Sequence, residues 1–84
     1  MAWKLIFQRA ARKEFDRLPQ RPKARILNAL ERLVQDPYAM TNVKALVGSE
    51  LFRLRVGNYR VMYRLENEEL IVLVVEVVAR KDAY

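Results

Sequence analysis

The sequence predicts an α+β domain: an N-terminal strand, a two-helix hairpin, then an antiparallel three-strand meander, with the helices packed on one face of the sheet. Three observations lead to it. Apolar residues recur at helical spacing between Phe7 and Val34, which is the mark of a helix with one buried stripe. From Leu51 onward the spacing drops to two, as in half-buried strands. Between them stands Asp36-Pro37, where a helix must stop.

Ala2 to Phe7 is aromatic and branched enough to open a strand, and its unbroken Leu5-Ile6-Phe7 suggests burial on both faces. The first helix begins at Arg9. Phe7, Ala11, Phe15 and Leu18 share its apolar face, Arg12, Lys13, Asp16 and Arg17 lie outside, and Pro19 ends it. The second helix carries Pro22 in its first turn, where a missing N–H costs little. Its stripe is Ile26, Leu27, Leu30, Leu33 and Val34. Residues 38–50 read as a loop with a short ordered piece around Val43, Ala45 and Leu46. Three strands follow, Leu51–Val56, Tyr59–Glu66 and Glu69–Val78, paired antiparallel through short connections.

Gly57-Asn58 fits a tight primed-type hairpin turn. With those two residues central, Val56 pairs with Tyr59, Arg55 with Arg60, Leu54 with Val61, Arg53 with Met62 and Phe52 with Tyr63. Phe52, Leu54, Val56, Tyr59, Val61 and Tyr63 then share a core face. Arg53, Arg55, Arg60 and Arg64 share the other, and no acid lies between Leu51 and Leu65. Opposed like charges on paired strands cost roughly 0.2–1 kcal/mol, a cost that a bound polyanion would reverse. In the last pair, Leu65 opposite Leu70 places Val61 across from Val74. Strand 69–78 is apolar on both faces, so Ile71, Leu73, Val75 and Val77, with Met62 and Leu51, need a cover: either loop 38–50 or a partner protein.

The chain has 84 residues, read as a single domain over 1–84, with a net charge of +6, 52% hydrophobic residues and no cysteine or histidine. It is too apolar to remain disordered, and its charge favours nucleic acid, an acidic protein or an anionic surface. The longest apolar run, Leu70 to Val75, is too short to span a bilayer, and the N-terminus has no signal-peptide pattern. These features point to a cytosolic protein without a membrane partner. Serine–histidine and cysteine–histidine catalysis are excluded, as is any thiolate or imidazole metal site. Two glycines cannot build a phosphate-binding glycine-rich loop, and Glu66, Glu68 and Glu69 look like solubilising charges rather than a magnesium site. Neither metal nor cofactor is expected.

The remaining functional set is Lys44, Arg53, Arg55, Arg60, Arg64, Arg80, Lys81 and Tyr84. Guanidinium groups hold phosphate bidentately and stay charged at any ordinary pH. If a ribose 2′-OH is aligned on its own 3′ phosphate, the substrate supplies the nucleophile, and the protein needs only to orient it and stabilise charge. Metal-independent ribonuclease chemistry follows, slow on free RNA because arginine and tyrosine titrate far above neutrality.

Several stretches resemble RelE-type toxins of the RelE/ParE superfamily, the ribosome-dependent messenger RNA interferases of toxin–antitoxin pairs. They are Phe7-x-x-x-Ala11-x-x-Glu14-Phe15-x-x-Leu18, Lys44-Ala-Leu-Val-Gly48, the block from Leu51 to Tyr63, and Val78-Ala-Arg-Lys-Asp-Ala-Tyr84. The resemblance implies a RelE-like fold, a RelB-like antitoxin partner, and cleavage of messenger RNA in the ribosomal A site. It assigns Arg53 and Arg55 to the RNA backbone, the second close to the reacting 2′-OH. It assigns Arg60 to the transition-state phosphate, Arg80 to the leaving group and Tyr84 to the substrate nucleotide; Lys44, Arg64 and Lys81 add RNA-binding charge. Where family members often carry Gly-His or Gly-Lys, this chain has Val78-Ala79. Strict alternation also sets Arg80 on the face opposite Arg60, so a bulge or the end of the ladder must bring it round. Two alternatives share the fold: a ParE-like toxin that poisons DNA gyrase, and a non-catalytic nucleic-acid-binding relic. The full arginine and tyrosine set favours the first reading.

Overall fold

The structure, a computed structural model, describes residues 3–79. In chain order its elements are β1 (Lys4–Phe7), α1 (Arg9–Asp16), α2 (Gln20–Gln35), β2 (Val43–Ala45), β3 (Phe52–Val56), β4 (Tyr59–Glu66) and β5 (Ile71–Ala79). They form two helices on a mixed five-stranded sheet of order β1-β5-β4-β3-β2. β1 runs parallel to β5, and every other neighbouring pair is antiparallel. Among the described residues no helix is long and apolar enough to cross a membrane.

The helices bury the stripes that their periodicity marks. Ala11 and Phe15 of α1 and Ile26, Leu30, Leu33 and Val34 of α2 are buried against Leu54, Val61, Tyr63, Val72, Val74 and Val77 of the sheet. Leu27 departs from this pattern, being 37% exposed at the stripe's margin. α2 ends where the Asp36 carboxylate accepts a hydrogen bond from the Tyr38 N–H, at 3.1 Å across Pro37, an Asx turn that replaces the next helical bond.

The β3–β4 pairing is residue for residue the one expected from the turn, Arg55 opposite Arg60 included. Two other expectations need correction. The ordered piece within loop 38–50 is a full edge strand: β2 pairs antiparallel with β3, Lys44 opposite Arg53. The sheet therefore has one strand more than anticipated. Separated from β5 by two intervening strands, β2 widens the sheet instead of covering the apolar face of β5.

The second correction concerns β4 and β5. Leu65 faces Val72 rather than Leu70, and Val61 faces Val77 rather than Val74. Residues 67–70 form a longer connection, with Leu70 at a positive φ of 56°. The ladder also contains a bulge, because Met62 pairs with Glu76 while the next residue, Tyr63, pairs with Val74, leaving Val75 extra. Its cause lies in the sequence. Val72 and Val74 point into the core, so strict alternation would send Glu76 there as well, and a buried unpaired carboxylate is prohibitively costly. One inserted residue reverses the alternation: Glu76 is exposed and Val77 is buried to 4% exposure. Val77 thus belongs to the core face, while Ile71 and Leu73 stay half-buried on the other.

Tyr63 is the least comfortable member of the core. It stacks on Phe52 with centroids 5.5 Å apart, is fully buried, and its Oη finds no hydrogen-bond partner among the described residues. Burial, with a smaller contribution from the charge of Tyr38, pushes its phenol up to about 12 from a usual 10. Below pH 10 the hydroxyl is neutral in both folded and unfolded chains. As pH rises from 10 to 12, only the unfolded chain ionises, so stability falls by an amount on the order of 3 kcal/mol. Tyr63→Phe is expected to leave stability at neutral pH unchanged or higher by up to about 1 kcal/mol. It should also blunt the alkaline loss. Denaturant melts at neutral pH and above pH 10 measure both effects; clear destabilisation by Phe at neutral pH would show that the hydroxyl is satisfied.

Candidate functional site

The site lies on the sheet face away from the helices, and the β3–β4 turn positions it. Gly57 has a positive φ of 57° and Asn58 does not, the pattern of a type II′ hairpin turn. Glycine suits the position because a side chain would be strained at that φ, and an added Cβ would stand 3.1 Å from both terminal nitrogens of Arg25, whose flexible end would have to give way.

Pairing lays the open face out in rows. Arg55, Arg60 and Val78 form the row nearest the turn, and Lys44, Arg53, Met62 and Glu76 form the next. Further along, Arg64 lies between Leu73 and the β3 end, and Ile6, 41% exposed, pairs with Leu73 from β1. The face therefore grades from apolar at β1 and β5 to cationic at β3 and β2. Arg53 and Arg60 are half-buried, while Arg55 and Lys44 are exposed. Lys44, Arg53 and Arg55 have no ion pair among the described residues. Arg64 differs: its guanidinium meets Glu66 at 2.9 Å and donates to the same carboxylate through Nε at 3.1 Å.

A groove of about 330 Å³ runs along the β2 side, walled by Thr41, Asn42, Val43, Lys44, Arg53 and Arg55. Asn42 ties it to the strand. The Arg55 N–H donates to the Asn42 carbonyl at 3.1 Å, and the Asn42 side-chain amide donates to the Arg55 carbonyl at 2.7 Å. This bracket fixes the backbone that carries Arg55, and it involves a residue that sequence reasoning missed, since nothing in the Met40-Thr41-Asn42 stretch reveals a long-range partner.

Structure thus brings Lys44, Arg53, Arg55 and Arg60 together and holds Arg64 at the margin of the patch in its own ion pair. Arg80, Lys81 and Tyr84 lie outside the described residues. Glu76, also unforeseen, stands on the same face opposite Met62; its signal was a lone acid in an apolar strand. Among the described residues no group of acids converges to hold a metal. Chemically, a row of guanidinium groups beside a groove can grip successive phosphates and neutralise charge that develops on one of them.

Residues 5–84 match the family model described as the ParE toxin of the type II toxin–antitoxin system parDE. The chain belongs to the RelE/ParE superfamily of toxins. Solved structures agree. The toxin–antitoxin complex RelBE2 of Mycobacterium tuberculosis contains a chain 28% identical to this one, with a TM-score of 0.82 over 95% of this chain and 100% of that one. Two more distant RelE–RelB complexes share the fold. The Pyrococcus horikoshii complex matches at 24% identity and TM-score 0.82 over 95% of this chain and 97% of that one. The intact RelBE complex of E. coli matches at 23% and 0.82 over 93% and 96%. A search of curated proteins gives no match. Membership of the superfamily thus rests on the match over residues 5–84, and the toxin fold carries its arginine-rich hairpin face outward.

The opposed Arg55 and Arg60 make a stability prediction. Arg55→Thr removes the repulsion and keeps the backbone bracket with Asn42, so it is expected to raise stability by about 0.2–1 kcal/mol. The gain should be largest at low salt and shrink as screening increases. Thermal melts of both proteins across a salt series test it; equal stability at every salt concentration would mean that the repulsion is already relieved in the folded chain.

Proposed function

We propose that this toxin is a metal-independent endoribonuclease that cleaves messenger RNA in the ribosomal A site and so inhibits translation. The observation that carries the reading is the convergence of Lys44, Arg53, Arg55 and Arg60 on one open face, beside a groove walled by three of them. Bound there, an RNA backbone has phosphates to offer each cation. The ribose 2′-oxygen attacks its own 3′ phosphorus, the bond to the 5′-oxygen breaks, and the proton lost by the first oxygen is made good on the second. The products are a 2′,3′-cyclic phosphate and a 5′-hydroxyl. Arg53 and Arg55 position the strand, and Arg60 stabilises the extra charge at phosphorus. By resemblance, Arg80 serves the leaving group and Tyr84 orients the substrate nucleotide, with Lys44, Arg64 and Lys81 adding RNA-binding charge. The cations of the patch supply positioning and charge stabilisation, which suits an enzyme that depends on the ribosome to align its substrate.

The proposed setting is the cytoplasm, with a RelB-like antitoxin as the neutralising partner. The solved RelE–RelB complexes that share this fold support that partnership, and the half-buried Ile71, Leu73 and Met62 beside the exposed Ile6 give an antitoxin segment apolar surface to cover. A second reading has one observation in its favour: the matched family model bears the ParE description, and ParE-like toxins poison DNA gyrase.

Primer extension on a translated messenger after induction of the toxin without antitoxin separates the two. Cleavage within codons that depends on translation is expected, and Arg60→Ala should reduce it by about 10²–10³, the loss typical of removing one group that stabilises transition-state charge. Toxicity with intact messenger, retained in Arg60→Ala, would replace the ribonuclease reading by gyrase poisoning.

A further inference from the structure

The hairpin has a second cationic side. Behind the Gly57-Asn58 turn, a pocket of about 280 Å³ is lined by Arg21, Pro22, Arg25, Val56, Asn58 and Tyr59. Arg21 and Arg25 stand four residues apart on α2, hence one above the other on a single helix face, and both are exposed. Neither makes an ion pair among the described residues, and the pocket wall contains no carboxylate. Helix electrostatics do not favour the pair: Arg21 lies in the first turn of α2, which has no acid, and a cation there runs against the helix dipole. The remaining lining residues are Tyr59, Val56, Pro22 and Asn58.

We infer that this pocket binds a phosphodiester of a nucleic acid, separately from the arginine face on the other side of the same hairpin. Paired guanidinium groups match carboxylate and phosphate oxygens alike, and two further features favour the phosphodiester over an acidic protein segment. An aromatic wall beside them offers a surface on which a base can stack. The basic surface is also continuous around the end of the hairpin: Arg25 touches the turn at Gly57, and Arg55 and Arg60 flank that turn on the opposite face. A strand lying on the front face that bends round the turn, or a second strand lying behind it, meets the same chemistry. The pocket is independent of the cleavage reading, because binding there involves no reacting group.

The test uses the full chain and a short single-stranded RNA carrying 2′-O-methyl groups, which binds but has no nucleophile for cleavage. The affinity is measured by anisotropy across a salt series for the parent and for Arg21→Ala/Arg25→Ala. Losing two phosphate contacts should flatten the plot of log affinity against log salt by about 1.4 and weaken binding roughly 10- to 30-fold at about 0.1 M salt. In amide NMR spectra, RNA should shift Asn58 and Tyr59 in the parent but not in the variant, while Lys44 and Arg53 shift in both. Should the alanine variant fold poorly, Arg21→Gln/Arg25→Gln takes its place. An unchanged salt slope, or Asn58 and Tyr59 signals that do not respond to RNA, overturns the inference. So does a poly-glutamate peptide that shifts those two residues at lower concentration than the RNA, since an acidic protein would then be the better ligand. Loss of the ribonuclease reading through Arg60→Ala would leave these binding results standing.

Discussion

The register of the β3–β4 hairpin decides which half of the molecule becomes core and which becomes reagent. Apolar and cationic residues alternate along both strands, so a slip of one position would bury arginines and expose Leu54, Val61 and Tyr63. The Gly57 turn prevents that slip. It also holds Arg55 against Arg60, like charges of a kind that costs folding free energy when directly opposed. An 84-residue chain without cysteine tolerates this because its core faces interlock densely, with Ile26, Leu30 and Leu33 of α2 fully buried against the sheet.

Much of this was legible in the sequence, and the reason differs by element. Gly57-Asn58 selects one turn with one register, so the hairpin and the Arg53, Arg55 and Arg60 face could be written out by counting. Both helices were legible because proline and Asp36 mark their ends and because their stripes are unbroken. β5 resisted for the opposite reason: Ile71 to Val75 is apolar at every position, so alternation carries no information there. Glu76 alone broke that ambiguity, and only a reading that asked where its carboxylate could go would have found the bulge. Contacts across long separations were invisible: Asn42 with Arg55, and Arg25 under Gly57, arise from the way loop and helix dock on the sheet. For Arg80, Lys81 and Tyr84, the pattern in the sequence remains the basis of their assignment.

Charge is distributed by position as well as by amount. The +6 chain places paired cations such as Arg12, with Asp16 at 3.3 Å, and Arg17, with Glu14 at 3.9 Å, on the outer surface of α1. Exposed pairs of this kind contribute little to stability, but they neutralise local field. Lys44, Arg53 and Arg55 on the front face and Arg21 and Arg25 behind the turn have no ion pair among the described residues, which gathers uncompensated cations around the hairpin. Cations grouped in this way raise the local potential that a diffusing polyanion would meet.

The bulge at Val75 has a bearing on how such a toxin varies over evolutionary time. Substitutions on either side of it change one side chain each, and even loss of Val75 would leave Val74 opposite Tyr63 and Glu76 opposite Met62, with inward and outward positions as they are. Point mutation can therefore explore the chemistry of the open face gradually, and a one-codon deletion at the bulge would straighten the ladder while Val77 stays in the core. This short stretch of β5 is thus a place where the strand has a residue to spare.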